Sequence, residues 1–150
     1  MNTLIIIGAK YLYLLAVIIA IAPFFLSDKK KEVVIFSILD LTVVYMVGLF
    51  GGILYYDPRP FVSEHITPLI SHVADNGFPS DHTLLAAALA SILYCYNRRL
   101  GLVVFVIAIL VGVSRMLAGI HHLIDVVGSL GIAVVVTFIV YVTTRKRFFA

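Results

Sequence analysis

The sequence predicts an all-helical integral membrane protein, a bundle of five transmembrane helices whose polar side chains gather at the outer face. Three observations carry this. The 150 residues are 62% hydrophobic and only 13% charged, where soluble domains average about 45–50% and about 25%. A bilayer core about 30 Å thick takes roughly 20 apolar residues per helix, and five stretches approach that length: about 4–26, 33–56, 82–96, 100–118 and 122–144. Finally, the basic residues sit where five spans bring them to one side.

The first segment has no basic flank before it and is followed by Asp28 and Lys29–Lys31. It therefore reads as a permanent helix rather than a cleaved leader. Lys10 within it snorkels outward. The second holds Asp40, which has no evident partner, and the pair Gly48 and Gly52, whose small-xxx-small spacing suits close helix contact. The third reaches spanning length only when counted from Ser80, and Ala86 and Ala90 repeat the small-residue spacing. The fourth ends outward at Ser114-Arg115, and the fifth begins near His121. Residues 57–81 form the one long loop of a single membrane domain, 1–150. The lone Cys95 has no intramolecular disulfide partner and reads as a small buried side chain.

Lys29, Lys30, Lys31, Arg98, Arg99, Arg145, Lys146 and Arg147 make up most of the eleven lysines and arginines. Five spans place all eight on one side, which the excess of positive charge marks as cytoplasmic. The C-terminus is then inside, and His65, His72, His82, His121 and His122 all lie outside. The tyrosine pairs Tyr55-Tyr56 and Tyr94/Tyr96 mark interfacial belts at span ends.

Loops as long as 57–81 inside a compact protein are functional or disordered. This one opens with Asp57-Pro58-Arg59-Pro60-Phe61 and closes with Gly77-Phe78-Pro79-Ser80-Asp81-His82. Ser80 or Asp81 is placed to cap the third helix, whose N-terminal N–H groups make an anion site beside His82. His121 and Asp125, four apart, share one face of a helix and can touch. A carboxylate on one imidazole nitrogen leaves the other free to attack. Arg59 and Arg115 offer planar forks for phosphate oxygens. The set has the parts needed to hold a phosphate and transfer it.

Arg59-Pro60, Pro79-Ser80-Asp81-His82 and Ser114-Arg115-x5-His121-x3-Asp125 resemble, in order, the three signature motifs of the type 2 phosphatidic acid phosphatase superfamily. Asp-Pro-Arg-Pro-Phe, Phe-Pro-Ser-Asp-His and Gly119-Ile120-His121-His122 are more narrowly similar to bacitracin-resistance-type undecaprenyl-diphosphate phosphatases. The resemblance implies a membrane lipid phosphatase acting without metal or other cofactor through a phosphohistidine. His121 would be the nucleophile, Asp125 its orienting partner, and His82 the acid and then the base. Arg59, Ser80, the backbone N–H of Asp81 and Arg115 would hold the phosphate, with the Asp81 side chain turned away. Gly52 stands where the superfamily usually has a lysine. The implied substrate is a polyprenyl diphosphate in the cell membrane, its headgroup read from the exterior. Alternatives are phosphatidylglycerol phosphate, phosphatidic acid or another lipid phosphate. A reading of another class is a metal-binding or transport protein using the five outer histidines. Nothing points to nucleic acid, and no oligomeric state follows. His65, His72, Glu64 and Asp75 read as solvated loop residues, and His122 as a loop contact.

Overall fold

The structure, a computed structural model, describes residues 1–26 and 30–149, without the side chains of 22–24 and 26. Asp28 and Lys29 lie outside the described residues. Six helices follow in order: α1 (Asn2–Leu26), α2 (Lys30–Leu54), the short α3 (Pro60–Ser63), α4 (Asp81–Tyr96), α5 (Arg98–Leu117) and α6 (Leu123–Phe148). No strand occurs among the described residues.

Four of them are long and apolar enough to cross a membrane: Asn2–Ile21 within α1, α2, α5 and α6. Their outer faces expose Leu, Ile, Val and Phe along their length, among them Ile18, Phe50, Val106 and Phe138. Water does not tolerate an apolar surface this extensive; the chain is an integral membrane protein. The expected third span is α4, and its 16 residues rise only about 24 Å. The shortfall has a physical reason. α4 is the central helix, packed against α1, α2, α5 and α6. Thr83, Leu84, Ala86–Ala90, Ile92 and Leu93 are all buried, so protein rather than lipid satisfies it. The alanine run Ala86–Ala88 lets its neighbours approach closely.

Asp40 does have a partner. It is fully buried, and Thr137 Oγ1 of α6 donates to its Oδ2 at 2.9 Å. Its position in α2 gave no hint of this, because the partner lies 97 residues away. At the same end, Phe36 packs against Tyr96, Phe148 and Phe149. Asn97 forms the tight link from α4 to α5, its side chain accepting from Leu100 N at 3.1 Å. Lys30, Lys31, Arg98, Arg99 and Arg145–Arg147 sit on the helix ends at this pole. The opposite pole carries the 57–81 loop, the start of α4, the end of α5 and the start of α6.

Candidate active site

The loop is tied down by Asn76. Its Oδ1 accepts from the backbone N–H groups of Asp57 (2.9 Å) and Phe78 (3.0 Å). Its Nδ2 donates to the carbonyls of Gly52 (2.8 Å) and Tyr55 (3.0 Å) at the end of α2. Gly77 N closes the neck on Asp57 O at 2.8 Å. A side chain at 52 would meet the Phe78 carbonyl at 2.9 Å, and one at 77 would meet Asp125 Oδ2 at 2.9 Å. The loop backbone therefore fills the space at Gly52, and Gly77 lets the chain pass against the buried carboxylate.

His121 and Asp125 meet, though not on one helical face. His121 precedes α6, for which His122 is the N-cap and Asp125 the third residue. Asp125 Oδ2 reaches back to accept both His122 N–H (2.9 Å) and His121 Nδ1 (3.1 Å). The helix start, rather than an i,i+4 stripe, builds the pair. With Nδ1 donating to the carboxylate, the Nε2 lone pair of His121 faces two guanidinium groups, Arg59 Nη1 and Arg115 Nη2, each at 3.2 Å. His121 is 3% exposed and Asp125 0%. Burial first, and then the two arginines, hold the His121 pKa below its usual value despite the pull of Asp125. The ring stays neutral, with an electron pair available, at pH values where a free histidine gains a proton.

Both arginines are buried and pinned. Arg59 donates through Nε to Asp75 Oδ1 (2.7 Å), through Nη1 to Ile120 O (3.0 Å) and through Nη2 to Asn76 O (3.3 Å). Arg115 Nη1 donates to Ala9 O of α1 at 3.1 Å, while its buried Nε has no partner among the described residues. Asp75 is thus no mere solubility residue; it balances the Arg59 charge.

Ser80 is the α4 N-cap, but its side chain makes no capping bond. Its hydroxyl pairs with Thr83 Oγ1 at 3.0 Å, correcting the expected cap and leaving the first-turn N–H groups of α4 uncapped. Its backbone N–H donates to Ser129 Oγ (2.9 Å), and that hydroxyl reaches Asp125 O (2.7 Å) and Ser80 O (3.1 Å). Ser129 thereby couples the start of α4 to the dyad. His82 packs edge-on against Tyr13 of α1, ring centres 4.4 Å apart. Asp81 is exposed, along a groove with Leu41, Val44 and Tyr45 of α2. Arg59, Arg115, His121 and Asp125 thus form one hydrogen-bonded set. Ser80 joins it through Ser129, and His82 and Asp81 stand beside it. Lys10 is exposed.

Asn76, Asp75, Ser129 and the Ala9 carbonyl did not emerge from the sequence. Ser129 was within reach, one turn past Asp125 on the same face of α6. His122 makes the expected loop contact: its Nδ1 lies 2.7 Å from Asp57 Oδ2 and its Nε2 3.5 Å from Glu64. The outer histidines do not converge as a metal-binding set. Among the described residues, only His122, with Asp57 and Asp125, belongs to a group close enough to share an ion. In that group Asp57 Oδ2 is bonded to His122 and Asp125 Oδ2 to two N–H groups, while the buried Asp125 Oδ1 has no partner among the described residues.

The sequence profile of the PAP2 superfamily matches residues 11–149. Undecaprenyl-diphosphatase BcrC of Bacillus subtilis (strain 168) is 35% identical over 128 residues, 83% of this chain and 64% of the relative. The chain therefore spans just under two thirds of that relative's length. The bacitracin transport permease protein BcrC of Bacillus licheniformis is 28% identical over 151 residues, 99% of this chain and 74% of that protein. The crystal structure of a PAP2-type phosphatidylglycerolphosphate phosphatase from Bacillus subtilis superposes with a TM-score of 0.62 at 25% identity, covering 97% of this chain and 77% of that one. Aquifex aeolicus LpxE shares the fold, with a TM-score of 0.60 at 24% identity over 91% of this chain and 79% of that one.

Proposed function

The chain belongs to the PAP2 superfamily, and from that premise we propose that it removes the terminal phosphate of a polyprenyl diphosphate through a phosphohistidine. The observation that carries this reading is the His121 Nε2 lone pair, held by Asp125 and flanked by two arginine forks at 3.2 Å. An in-line attack forms the Nε2–P bond and breaks the bond from phosphorus to the bridging oxygen. The lipid monophosphate departs, and His82 would donate its proton. Water activated by His82 then cleaves the Nε2–P bond, giving inorganic phosphate and free His121. Arg59, Arg115 with its unpaired Nε–H, and the first-turn N–H groups of α4, Asp81 N–H included, would stabilise the charge spreading over the phosphoryl oxygens. Ser80 would shape that end of the cradle. The name undecaprenyl-diphosphatase borne by the Bacillus subtilis relative supports the choice of diphosphate and of a long prenyl tail.

The test is a panel of lipid phosphates with purified protein. A polyprenyl diphosphate should be the best substrate, ahead of phosphatidylglycerol phosphate and phosphatidic acid. Orthovanadate should inhibit and EDTA should leave the rate unchanged. A clear preference for a glycerophospholipid contradicts the substrate assignment, and loss of activity in EDTA contradicts the chemistry.

We further propose five spans, α4 included, with the site at the outer face and the C-terminus in the cytoplasm. The basic pole of the bundle, opposite the His121 pole, supports this through the positive-inside rule. The enzyme would then recycle a carrier lipid on the outer leaflet and blunt the effect of bacitracin, which sequesters the diphosphate. With Cys95 replaced, a cysteine substituted for Glu64, which is exposed, should react with an impermeant thiol reagent on intact cells. Reaction only after permeabilisation contradicts the orientation.

A further inference from the structure

The sequence assigns His72 to solvent, yet the loop carries it to the reacting centre. Its ring centre lies 6.4 Å from that of His121, the planes inclined at 74°. Two anchors hold it there. On one side, Leu69 N donates to Ala118 O at 3.0 Å, and Ile70 is buried in a cluster with Ala9, Ala118 and Ile120, next to the nucleophile. On the other, Asp75 and Asn76 are bonded to Arg59. The ring itself is fixed through Nδ1, 3.2 Å from Val73 O, and Nε2 has no hydrogen-bond partner among the described residues. His72 is thus a third imidazole at the mouth of the site, beside His82 and His121, and only half-buried.

We propose that His72 contacts the second phosphate of the substrate, the one that stays with the lipid, and so selects diphosphates over monophosphates. The inference rests on the proposed reaction. Reacting atoms about 3 Å apart in line with Nε2 place the bridging oxygen about 6 Å from the His121 ring centre. The His72 ring centre lies at a comparable distance, 6.4 Å from that of His121. The arginines face Nε2 and serve the phosphate being transferred, which leaves the second phosphate to a group farther out. Burial first, and then Arg59, hold the His72 pKa below its usual value. With Nδ1 donating to Val73 O, a negative charge arriving beside Nε2 favours its protonation. The bond it then makes to phosphate is charge-assisted. A monophosphate ester has only an alcohol oxygen at this place and gains nothing.

The experiment compares farnesyl diphosphate with farnesyl monophosphate on the full chain. His72→Ala should raise KM for the diphosphate about tenfold, leave the monophosphate within about twofold, and leave inhibition by orthovanadate unchanged. His72→Gln, which keeps an N–H donor near the same place, should recover part of the diphosphate affinity. Equal losses on both substrates, or no loss on either, overturn the role of His72. If His72→Ala is unstable, His72→Leu, which keeps bulk but no polar atom, decides by the same criterion: an unchanged substrate ratio and KM in that variant overturn the role. A wild-type protein that cleaves the monophosphate but not the diphosphate overturns the proposed reaction instead.

Discussion

Replacing His121 by alanine is expected to lower turnover of the polyprenyl diphosphate by about 10,000-fold or more, the scale on which enzymes lose a nucleophile. The loss follows from geometry. Nε2 is the one electron pair at the convergence of Arg59 and Arg115, and neither arginine can attack phosphorus. The substitution also removes the acceptor that Arg59 Nη1 and Arg115 Nη2 share, leaving Arg59 Nη1 with Ile120 O alone and Arg115 Nη2 with no partner among the described residues, so some loss of stability should accompany it. His121→Gln separates the two effects, because its amide oxygen can still accept from the arginines while offering no nucleophile. It should restore thermal stability and stay inactive. Activity within a few-fold of wild type in either variant contradicts the assignment.

Arg115 should show the second largest effect. Its Nη2 faces His121, its Nη1 is anchored on the α1 backbone, and its buried Nε–H has no partner among the described residues. Removal of one preorganised donor to a developing oxyanion costs about 100- to 1,000-fold in turnover, and Arg115→Ala should fall at the upper end. Arg115→Lys keeps the charge and loses the fork, so it should remain about 100-fold impaired. A lysine variant with wild-type turnover would show that charge alone suffices. The rates are read from steady-state turnover, with melting temperature as the check that the α1–α5 contact survives.

Much of this site was legible because its residues carry chemistry at fixed local spacing. Arg115, His121 and Asp125 lie within one helix end and one helix start, so short-range geometry places them together. His121 and Asp125 do touch, through the reach of an N-terminal carboxylate rather than a shared helical face. Apolar runs located the helices for a similarly local reason. They could not say that α4 is wrapped by protein, since burial in lipid and burial among helices demand the same side chains. The residues that escaped have distant partners: Asp75 and Asn76 with Arg59, Asp40 with Thr137, Arg115 with Ala9. Their roles depend on the path of the 57–81 loop and on which helices touch, and neither has a local signature. His72 is the sharpest case. In sequence it is an ordinary loop histidine, and the anchoring of the loop on both sides, at Leu69–Ile70 and at Asp75–Asn76, brings it beside His121.

The central claim is that the phosphoryl group passes through His121. It is tested most directly by mixing the protein with polyprenyl diphosphate labelled in its terminal phosphate and quenching within the first turnover. Label should appear on the protein, stable to alkali and lost in acid as expected of a phosphoimidazole, and should map to the peptide containing His121. Label on another residue, or full turnover with none on the protein at any quench time, would contradict it.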